Sequence, residues 1–415
     1  MSPMKVSLQT FGTRGDVHPF VALGIGLRKR GHDVTVATAL DFKAMVEQAG
    51  LEFREIPGRT TDHFSNPAVI KSIRKSSSSI RTALAMERPG KDEFVDAVEK
   101  MREAAEGADF TLTSLITRAC GFAGLDMPWG TVSWWPITAT REFRAYKTPD
   151  LPLGPLYTRF THAMSAQLEW AAWHRPPVNA LRARRGLPPL KKSPMGGLGV
   201  EQPVLYPYSP SFMPPPRDWP ANTHVTGYWI WERPEERPPA DLVDFLGSGT
   251  TPLLLALGSA WPVYGERTFH LVRDAVRHAG RRLVVVGGPE GTASDDVFRV
   301  PEVDYGWLFP KVAAVIHGGA FGTTADALRA GVPQLTVPCW ADGPYWAARL
   351  AGLGVAAPPV PFQKMTAARL RQAVHTVVND ATLAGQAARV GERVRRDRGV
   401  ETACDLIESW VDRAA

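Results

Sequence analysis

The stretch IHGGAFGTTADALRAGVP, residues 316–333, brings together residue types that bind phosphate. A short apolar strand runs into His317, and glycines and two threonines precede a helix that we expect to begin near Thr323. A helix N-terminus carries about half a positive charge, and its unpaired N–H groups bind anions. Glycines let an anion approach the backbone, and imidazole and hydroxyl groups can donate hydrogen bonds to it. The stretch predicts a phosphate site; a capped strand-to-helix turn with a structural histidine is the alternative.

Two aspartates lie where further chemistry is expected. In VPCWADGPYW, Asp342 follows the next strand, at the same sheet edge as the phosphate site, where it can accept hydrogen bonds from sugar hydroxyls. In TFGTRGDVHPF, Asp16 follows the first strand, where it can act as a general base. The alternative for Asp16 is the N-cap of the helix that begins VHPFVAL. Together these residues are typical of a nucleotide-sugar site with a base opposite.

The elements that must position these residues alternate between strand and helix. The first 60 residues form a β-α-β pattern, and the same alternation returns from TPLLLALGS onward, which indicates two doubly wound α/β domains with parallel sheets. The segment 203–239 is rich in proline, so we expect neither a helix nor a central strand in it. The predicted domains are residues 1–215 and 241–395, with a linker at 216–240 and a final helix, 396–415, that packs back on the first domain.

Candidate acceptor contacts lie in the first half. Residues 61–100 are basic and serine-rich, and we interpret them as a mobile excursion from the first domain that either shapes a pocket or decorates the surface. Trp134 and Trp135 are candidates for a broad apolar pocket, with core packing as the alternative. His18, close to Asp16, is a further candidate, with a surface position as its alternative.

The composition limits the partners and the compartment. Lys and Arg number 48 and Asp and Glu number 42, giving a net charge of +6, and the basic residues are spread over separate segments. We therefore expect no nucleic-acid interface and at most a weak peripheral contact with an acidic membrane. No apolar run approaches the roughly 20 residues of a membrane span. The N-terminus lacks a secretory signal pattern and the three cysteines are far apart, which favours a cytoplasmic location without disulfides or a thiolate metal site.

The motifs give the chain a resemblance to a known family. It resembles GT-B-fold glycosyltransferases of the UDP-glycosyltransferase superfamily, in particular the bacterial natural-product and sterol 3β-glucosyltransferase branch. The matching motifs occur in the family's order and are GTRGDVHPFVALGIGLRKRGHDVTVAT, PVLYPYSPSFMPPPRDWPANTHVTGYW, ALGS and DYGWLFPKVAAVIHGGAFGTTADALRAGVPQLTVPCWADGPYWAARLAGLGV. The resemblance implies two Rossmann-like domains that face each other across a cleft, the first binding the acceptor and the second the donor.

The resemblance also implies roles for single residues. Asp16 is implied as the base, at a position where related enzymes carry a histidine, and Asp342 as a contact to the donor sugar. The residues implied at the nucleotide or diphosphate are Ser259, His317, Gly319, Gly322, Thr323 and Thr324. Inverting transfer comes with the family and needs no metal or cofactor, only a nucleotide-diphosphate sugar as co-substrate.

The chain departs from the family pattern at three positions. The donor loop usually ends in Asp-Gln, whereas this chain has Asp342 followed by Gly343. Because the glutamine amide helps to select sugar hydroxyls, Gly343 puts glucose in doubt and favours a deoxysugar or a pentose. Gly318 replaces a second histidine of many relatives. Phe321 replaces a small residue and is expected to pack under the helix, with narrowing of the pocket as the alternative.

The predicted function is transfer of a sugar from a UDP- or dTDP-linked donor to a hydroxyl of a macrolide, polyketide, glycopeptide or sterol-like acceptor. One alternative is a non-catalytic sugar-nucleotide-binding partner of another transferase, against which the presence of both Asp16 and Asp342 speaks. Another is an NAD-dependent oxidoreductase, which predicts GxGxxG after the first strand, where the chain has GTRG at residues 12–15. A sugar-nucleotide epimerase lacks motif support, and the sequence predicts no oligomeric state.

Overall fold

The chain forms two compact units. The structure is a computed structural model that describes residues 2–58, 66–75, 91–146, 148–149, 151–233, 237–288 and 294–414. The first unit contains the described residues up to Trp231, except one helix near residue 70, and the segment from Asp397 onward. The second unit contains that helix and the described residues of Glu232–Arg396.

Strands and helices alternate along the described chain. The strands are β1 (Lys5–Gln9), β2 (Asp33–Thr38), β3 (Glu52–Glu55), β4 (Phe110–Thr113), β5 (Trp129–Val132), β6 (Val204–Tyr206), β7 (Thr223–Val225), β8 (Leu253–Ala256), β9 (Leu283–Val286), β10 (Val297–Val300), β11 (Val315–His317) and β12 (Gln334–Thr336). The helices are α1 (Arg14–Lys29), α2 (Lys43–Gln48), α3 (Pro67–Lys75), α4 (Lys91–Glu103), α5 (Arg118–Gly124), α6 (Gly154–Glu169), α7 (Arg175–Arg184), α8 (Ala240–Gly247), α9 (Trp261–His278), α10 (Tyr305–Leu308), α11 (Phe321–Ala330), α12 (Gly343–Gly352), α13 (Ala367–Asn379), α14 (Ala381–Arg395) and α15 (Gly399–Ala414). A π-helical turn, Trp170–His174, joins α6 to α7.

Each unit is built on a parallel sheet. The strand order is β3-β2-β1-β4-β5-β6-β7 in the first unit and β10-β9-β8-β11-β12 in the second, with parallel pairing throughout both orders. Strands such as β4 (FTLT) and β9 (LVVV) are buried at every position. Continuous buried runs are what a sheet covered by helices on both faces requires. The predicted pair of Rossmann-like α/β domains is confirmed.

The second sheet shows this two-sided packing directly. Leu253 and Leu255 of β8 belong to one buried cluster, together with residues of α9 and α13. Leu254 and Ala256 of the same strand belong to another, together with residues of α8 and α11. The alternation follows from the two-residue period of a strand, which points successive side chains to opposite faces.

The proline-rich segment differs from the prediction. Both β6 and β7 lie within residues 203–239, and β7 lies inside the linker predicted at 216–240. These strands are three residues long and contain no proline, and β6 pairs with β5 on one side and β7 on the other. Prolines between short strands are tolerated because they do not have to donate to the sheet. The boundary between the units falls after Trp231, within the segment 216–240 that was predicted as the linker.

Residues 61–100 are not a single excursion from the first domain, as the sequence suggested. Helix α3 belongs to the second unit, where Arg74 Nε donates to the carbonyl of Val263 at 2.8 Å. Helix α4 belongs to the first unit. Amphipathic faces explain both placements, since Val69 and Ile73 of α3 and Val98 of α4 are buried. The rest of this range, residues 61–65 and 76–90, lies outside the described residues.

Helix α15 lies in the first unit and packs on α1. A Cβ on Gly26 of α1 would lie 2.4 Å from Val400 Cγ1, so the two helices approach closely there. Arg30 Nη1 pairs with Asp405 and Glu408 at 2.6 and 2.8 Å. Burial of an apolar helix face and these ion pairs hold the C-terminal segment on the first unit.

Candidate functional site

Three neighbouring strands of the second sheet bring the predicted donor residues to one edge. In the register, His317 of β11 pairs with Ala256 of β8 and with Thr336 of β12. Because the strands are parallel, the segments that follow them emerge at the same sheet edge. Ser259 is exposed in the turn after β8, and Asp342 is half-buried after β12. The structure therefore brings Ser259, the turn after His317 and Asp342 to one edge.

Helix α11 begins at this edge and presents its N-terminus there. Its N-cap residue is Ala320, and its first helical bond runs from the Thr324 amide to the Ala320 carbonyl at 2.9 Å. The helix thus starts two residues before the predicted Thr323. The amides of residues 321–323 have no acceptor within the helix, because the first turn of an α-helix has none. With Gly322 and Thr323 half-buried in that turn, this is the part of the edge suited to an anion.

Thr324 lies deeper than the sequence suggested. Its side chain is only 1% exposed, and Oγ1 has no hydrogen-bond partner within the described part of the chain. Thr323 is half-buried and lies nearer the surface, and the donor contacts predicted for Thr323 and Thr324 stay predictions.

His317 is fully buried and both of its ring nitrogens are engaged. The Gly319 amide donates to Nδ1 at 3.2 Å, so Nδ1 is an acceptor and the proton of the neutral ring is on Nε2. Nε2 then donates to Gln334 Oε1 at 2.9 Å. Burial lowers the pKa of His317 to about 4, so the ring is neutral at pH 7. Direct donation to a diphosphate, as predicted, would require one of these two bonds to be given up.

His317 instead shapes the turn that precedes α11. Gly319 adopts φ +80°, in the left-handed region that favours glycine, and its amide is held by the imidazole. In this conformation His317 supports the turn, and the predicted contacts of His317 and Gly319 with the diphosphate stay predictions.

The loops after β11 and β12 touch through their backbones at glycines. A Cβ on Gly319 would lie 2.8 Å from the Gly343 carbonyl oxygen, and a Cβ on Gly343 would lie 2.6 Å from the Gly318 carbonyl oxygen. A Cβ on Gly318 would lie 2.7 Å from the hydroxyl of Tyr264, which donates to the Val337 carbonyl. The departures from the family pattern at 318 and 343 therefore have a packing reason. The sugar preference inferred from Gly343 stays a prediction.

Asp342 is held by a tryptophan. The indole Nε1 of Trp346, one turn along α12, donates to Asp342 Oδ2 at 2.9 Å. Trp346 is fully buried, and the ring of Phe321 packs on it at a centroid distance of 6.0 Å, the packing expected for Phe321. The chain enters this site through Ala341, whose φ of +57° is unusual for a residue with a Cβ.

In the first unit, Asp16 lies in the first turn of α1. The N-cap is Thr13, so the alternative that Asp16 is itself the N-cap is wrong. Asp16 Oδ2 accepts from the Thr13 amide at 2.7 Å and from Thr13 Oγ1 at 3.1 Å. The bond from the Thr13 amide belongs to a capping box, in which the side chain of the third helical residue accepts from the N-cap backbone. A Cβ on Gly12 would lie 2.3 Å from the same oxygen, so only glycine leaves room for the half-buried carboxylate.

The predicted acceptor residues have different environments. Trp134 is 4% exposed and meets Phe20 edge-on at 6.1 Å, which agrees with the core-packing alternative; its acceptor contact stays a prediction. Trp135 is half-buried, with its ring 4.7 Å from that of Tyr146. His18 is half-buried beside Trp231, at 5.3 Å. Trp135 and His18 stay candidates for acceptor contact.

The sequence reasoning did not single out Gln334 or Trp346. Gln334 is a buried polar residue in a short strand, two residues before Thr336, and the alternation of a strand places both on the face that carries His317. Trp346 is four residues after Asp342, a spacing that puts two residues on the same side of a helix. These spacings were the available signals.

Among the described residues, no cluster of three or more His, Cys, Asp or Glu side chains could hold a metal ion. Their helices include none that is both long and apolar enough to cross a membrane. Cys120, Cys339 and Cys404 are buried free thiols.

Comparison with known proteins gives the family. Residues 6–102 match the glycosyltransferase family 28 N-terminal domain, and residues 289–408 match the erythromycin biosynthesis protein CIII-like C-terminal domain. The chain is 46% identical to the O-mycaminosyltylonolide 6-deoxyallosyltransferase of Streptomyces fradiae, over 99% of this chain and 98% of that protein. It is 29% identical to a sterol 3-beta-glucosyltransferase of Cryptococcus neoformans, over 98% of this chain but 27% of that much longer protein.

Solved structures share the fold. The glycosyltransferase of kitacinnamycin superposes with a TM-score of 0.73 at 20% identity, over 99% of this chain and all of that one. SsfS6 from Streptomyces sp. SF2575, solved with thymidine diphosphate, superposes with a TM-score of 0.63 at 20% identity, over 98% and 99% of the two chains. With the family matches and the 46% identical relative, this shows that the chain belongs to the GT-B-fold glycosyltransferases of the UDP-glycosyltransferase superfamily, in the branch of bacterial natural-product and sterol glycosyltransferases.

Proposed function

We propose that this enzyme transfers a 6-deoxyhexose from a nucleotide-diphosphate donor to a hydroxyl of a macrolide acceptor, with inversion at the anomeric carbon. The observation that carries the proposal is 46% identity to a macrolide 6-deoxyallosyltransferase over essentially the whole of both chains. The arrangement at the edge of the second sheet supports it, because it offers separate contacts for an anion and for sugar hydroxyls.

The second unit holds the donor in this proposal. The diphosphate lies at the N-terminus of α11, where the amides of residues 321–323 and the Thr323 hydroxyl face it. The exposed Ser259 donates to the nucleotide end, and Asp342 accepts from sugar hydroxyls. As the glycosidic bond to the leaving diphosphate breaks, negative charge grows on its oxygens, and fixed amide dipoles stabilise that charge.

Asp16 of the first unit is the general base. Its carboxylate is fixed by the two Thr13 bonds to Oδ2, and a carboxylate has further lone pairs with which to accept a proton. It takes the proton of the acceptor hydroxyl as that oxygen attacks the anomeric carbon from the side opposite the diphosphate. Attack from the far side inverts the configuration, and this sequence of steps uses neither a metal nor a cofactor.

The proposal is tested by a screen of donors and acceptors with the purified single protein. dTDP- and UDP-linked 6-deoxyhexoses, pentoses and glucose are each incubated with macrolide lactones, aromatic polyketides, glycopeptide aglycones and sterols, and products are identified by mass. We expect a 6-deoxyhexosyl macrolide with the inverted anomeric configuration. A clean preference for UDP-glucose and a sterol contradicts the proposal, and failure of the single protein to turn over supports the partner-protein alternative.

A further inference from the structure

We propose that Trp346 is a positioning residue that fixes the orientation of the Asp342 carboxylate for the donor sugar. The inference rests on the proposed function, in which Asp342 contacts sugar hydroxyls. Its starting observation is the hydrogen bond from the buried Trp346 indole Nε1 to Asp342 Oδ2 at 2.9 Å. A hydrogen bond to a charged acceptor is short and strong, so it constrains the carboxylate more than a neutral contact would.

The local backbone shows that the Asp342 carboxylate does not cap the first turn of α12. Asp342 is the N-cap residue of α12, a position where an aspartate normally accepts from the amides of the first helical turn. Its own φ and ψ are −79° and −15°, not the extended values typical of an N-cap, and among the described residues no such side-chain cap bond is made. The Asp342 carboxylate accepts from the Trp346 indole instead.

The strained residue before Asp342 supports the same conclusion. Ala341 has φ +57°, a left-handed conformation that is unfavourable for a residue with a Cβ. Strain of this kind persists where the surrounding structure imposes it and is frequent at ligand sites. Here it turns the chain so that Asp342 leads into α12 with its side chain next to Trp346 rather than over the helix end.

Two aromatic rings pack against Trp346. Phe321, the first residue of α11, lies 6.0 Å away at 55°, and Tyr345 lies 4.9 Å away at 73°. Phe321 therefore connects the helix start that faces the diphosphate with the tryptophan that holds the sugar-binding carboxylate. A carboxylate has about four acceptor positions, so Asp342 can accept from a sugar hydroxyl while it keeps the bond from the indole.

The test separates loss of the indole N–H from loss of packing. Trp346→Phe keeps an aromatic ring, and benzothienylalanine at position 346 keeps the shape of the indole while replacing N–H by sulfur. Asp342→Asn is measured alongside, and Trp410→Phe, a buried tryptophan of the first unit stacked on Phe110, is the matched control. The affinities of dTDP and dTDP-6-deoxyallose are measured by calorimetry, and KM and kcat by product formation.

We expect both replacements of Trp346 to weaken dTDP-6-deoxyallose binding and to raise its KM about tenfold, while the affinity for dTDP is unchanged. Asp342→Asn should have at least this effect, and combining it with Trp346→Phe should add nothing further, because Trp346 acts on the sugar only through the Asp342 carboxylate. Trp410→Phe should leave all values unchanged.

Three results would overturn the inference. If Asp342→Asn weakens binding of the sugar nucleotide but the benzothienyl variant does not, Trp346 does not position the carboxylate, although the proposed function stands. If Asp342→Asn also has no effect, the donor role of Asp342 fails and this inference fails with it. Equal loss of dTDP and dTDP-6-deoxyallose binding in both Trp346 variants would assign the tryptophan to the fold alone.

Discussion

The turn between β11 and α11 should not tolerate a side chain at Gly319. The change Gly319→Ala places a methyl group on a residue with φ +80°, and that methyl would lie 2.8 Å from the Gly343 carbonyl oxygen and 3.1 Å from Gly343 Cα. Both neighbours are backbone atoms, so relief requires one loop to move. Movement would also break the bond between the Gly319 amide and His317 Nδ1.

The expected cost follows from two separable terms. A non-glycine residue in the left-handed region costs about 1–2 kcal/mol, and overpacking of a close contact costs about 1–3 kcal/mol. Gly319→Ala should therefore lower the free energy of unfolding by about 2–5 kcal/mol. Gly280→Ala, at φ +66° with no described atom within 4 Å of the new methyl, isolates the first term. Gly343→Ala, 2.6 Å from the Gly318 carbonyl oxygen without a positive φ, isolates the second.

The assay is urea denaturation of the three variants, followed by tryptophan fluorescence and circular dichroism. Gly319→Ala should be the least stable of the three. If Gly319→Ala is no less stable than Gly280→Ala, this prediction is wrong, because the close contact with Gly343 would then not lower the free energy of unfolding. Gly343→Gln, which restores the family residue, should likewise lose stability; a stable variant with altered sugar preference would instead favour the interpretation that Gly343 selects the sugar.

Three further predictions concern charge and metal. The pKa of His317 lies near 4 in the folded chain and near 6.5 in the unfolded chain, so the unfolded state takes up a proton first as the pH falls. The free energy of unfolding should therefore fall as the pH drops from 6.5 towards 4. Urea titrations should show a loss of about 2 kcal/mol at pH 5, and a smaller loss in His317→Gln. Glu169→Gln should destabilise by about 3–5 kcal/mol, because it leaves the fully buried Arg118 without its carboxylate. Turnover should be unchanged after dialysis against EDTA; lost activity that Mg²⁺ restores would contradict metal-independent transfer.

The fold was predictable from the sequence because each signal was local. Apolar strands followed by helices that end at glycines, such as α1 before Gly31, are sufficient to indicate two parallel α/β domains. The proline-rich segment was misjudged because three-residue strands leave almost no periodic signal. Residues 61–100 were misjudged because no local pattern tells which of two units an amphipathic helix will cover.

The candidate site was predictable in its position but not in its contacts. The strand order places Ser259, the turn after His317 and Asp342 at one edge of the second sheet. The order of the motifs along the chain was sufficient to predict this. Which atom each side chain meets depends on packing between distant segments. The sequence therefore could not show that His317 is hydrogen-bonded to Gly319 and Gln334. Nor could it show that the Gly318 carbonyl leaves no room for a side chain at position 343.

Removal of the acceptor proton by Asp16 is tested most directly by the turnover of Asp16→Asn at saturating donor and acceptor. The asparagine oxygen can still accept from the Thr13 amide, so helix α1 keeps its first-turn contact. We predict a fall in kcat of about 10²–10⁴-fold with an unchanged urea midpoint. An unchanged kcat would contradict the claim and leave Asp16 as a capping group only.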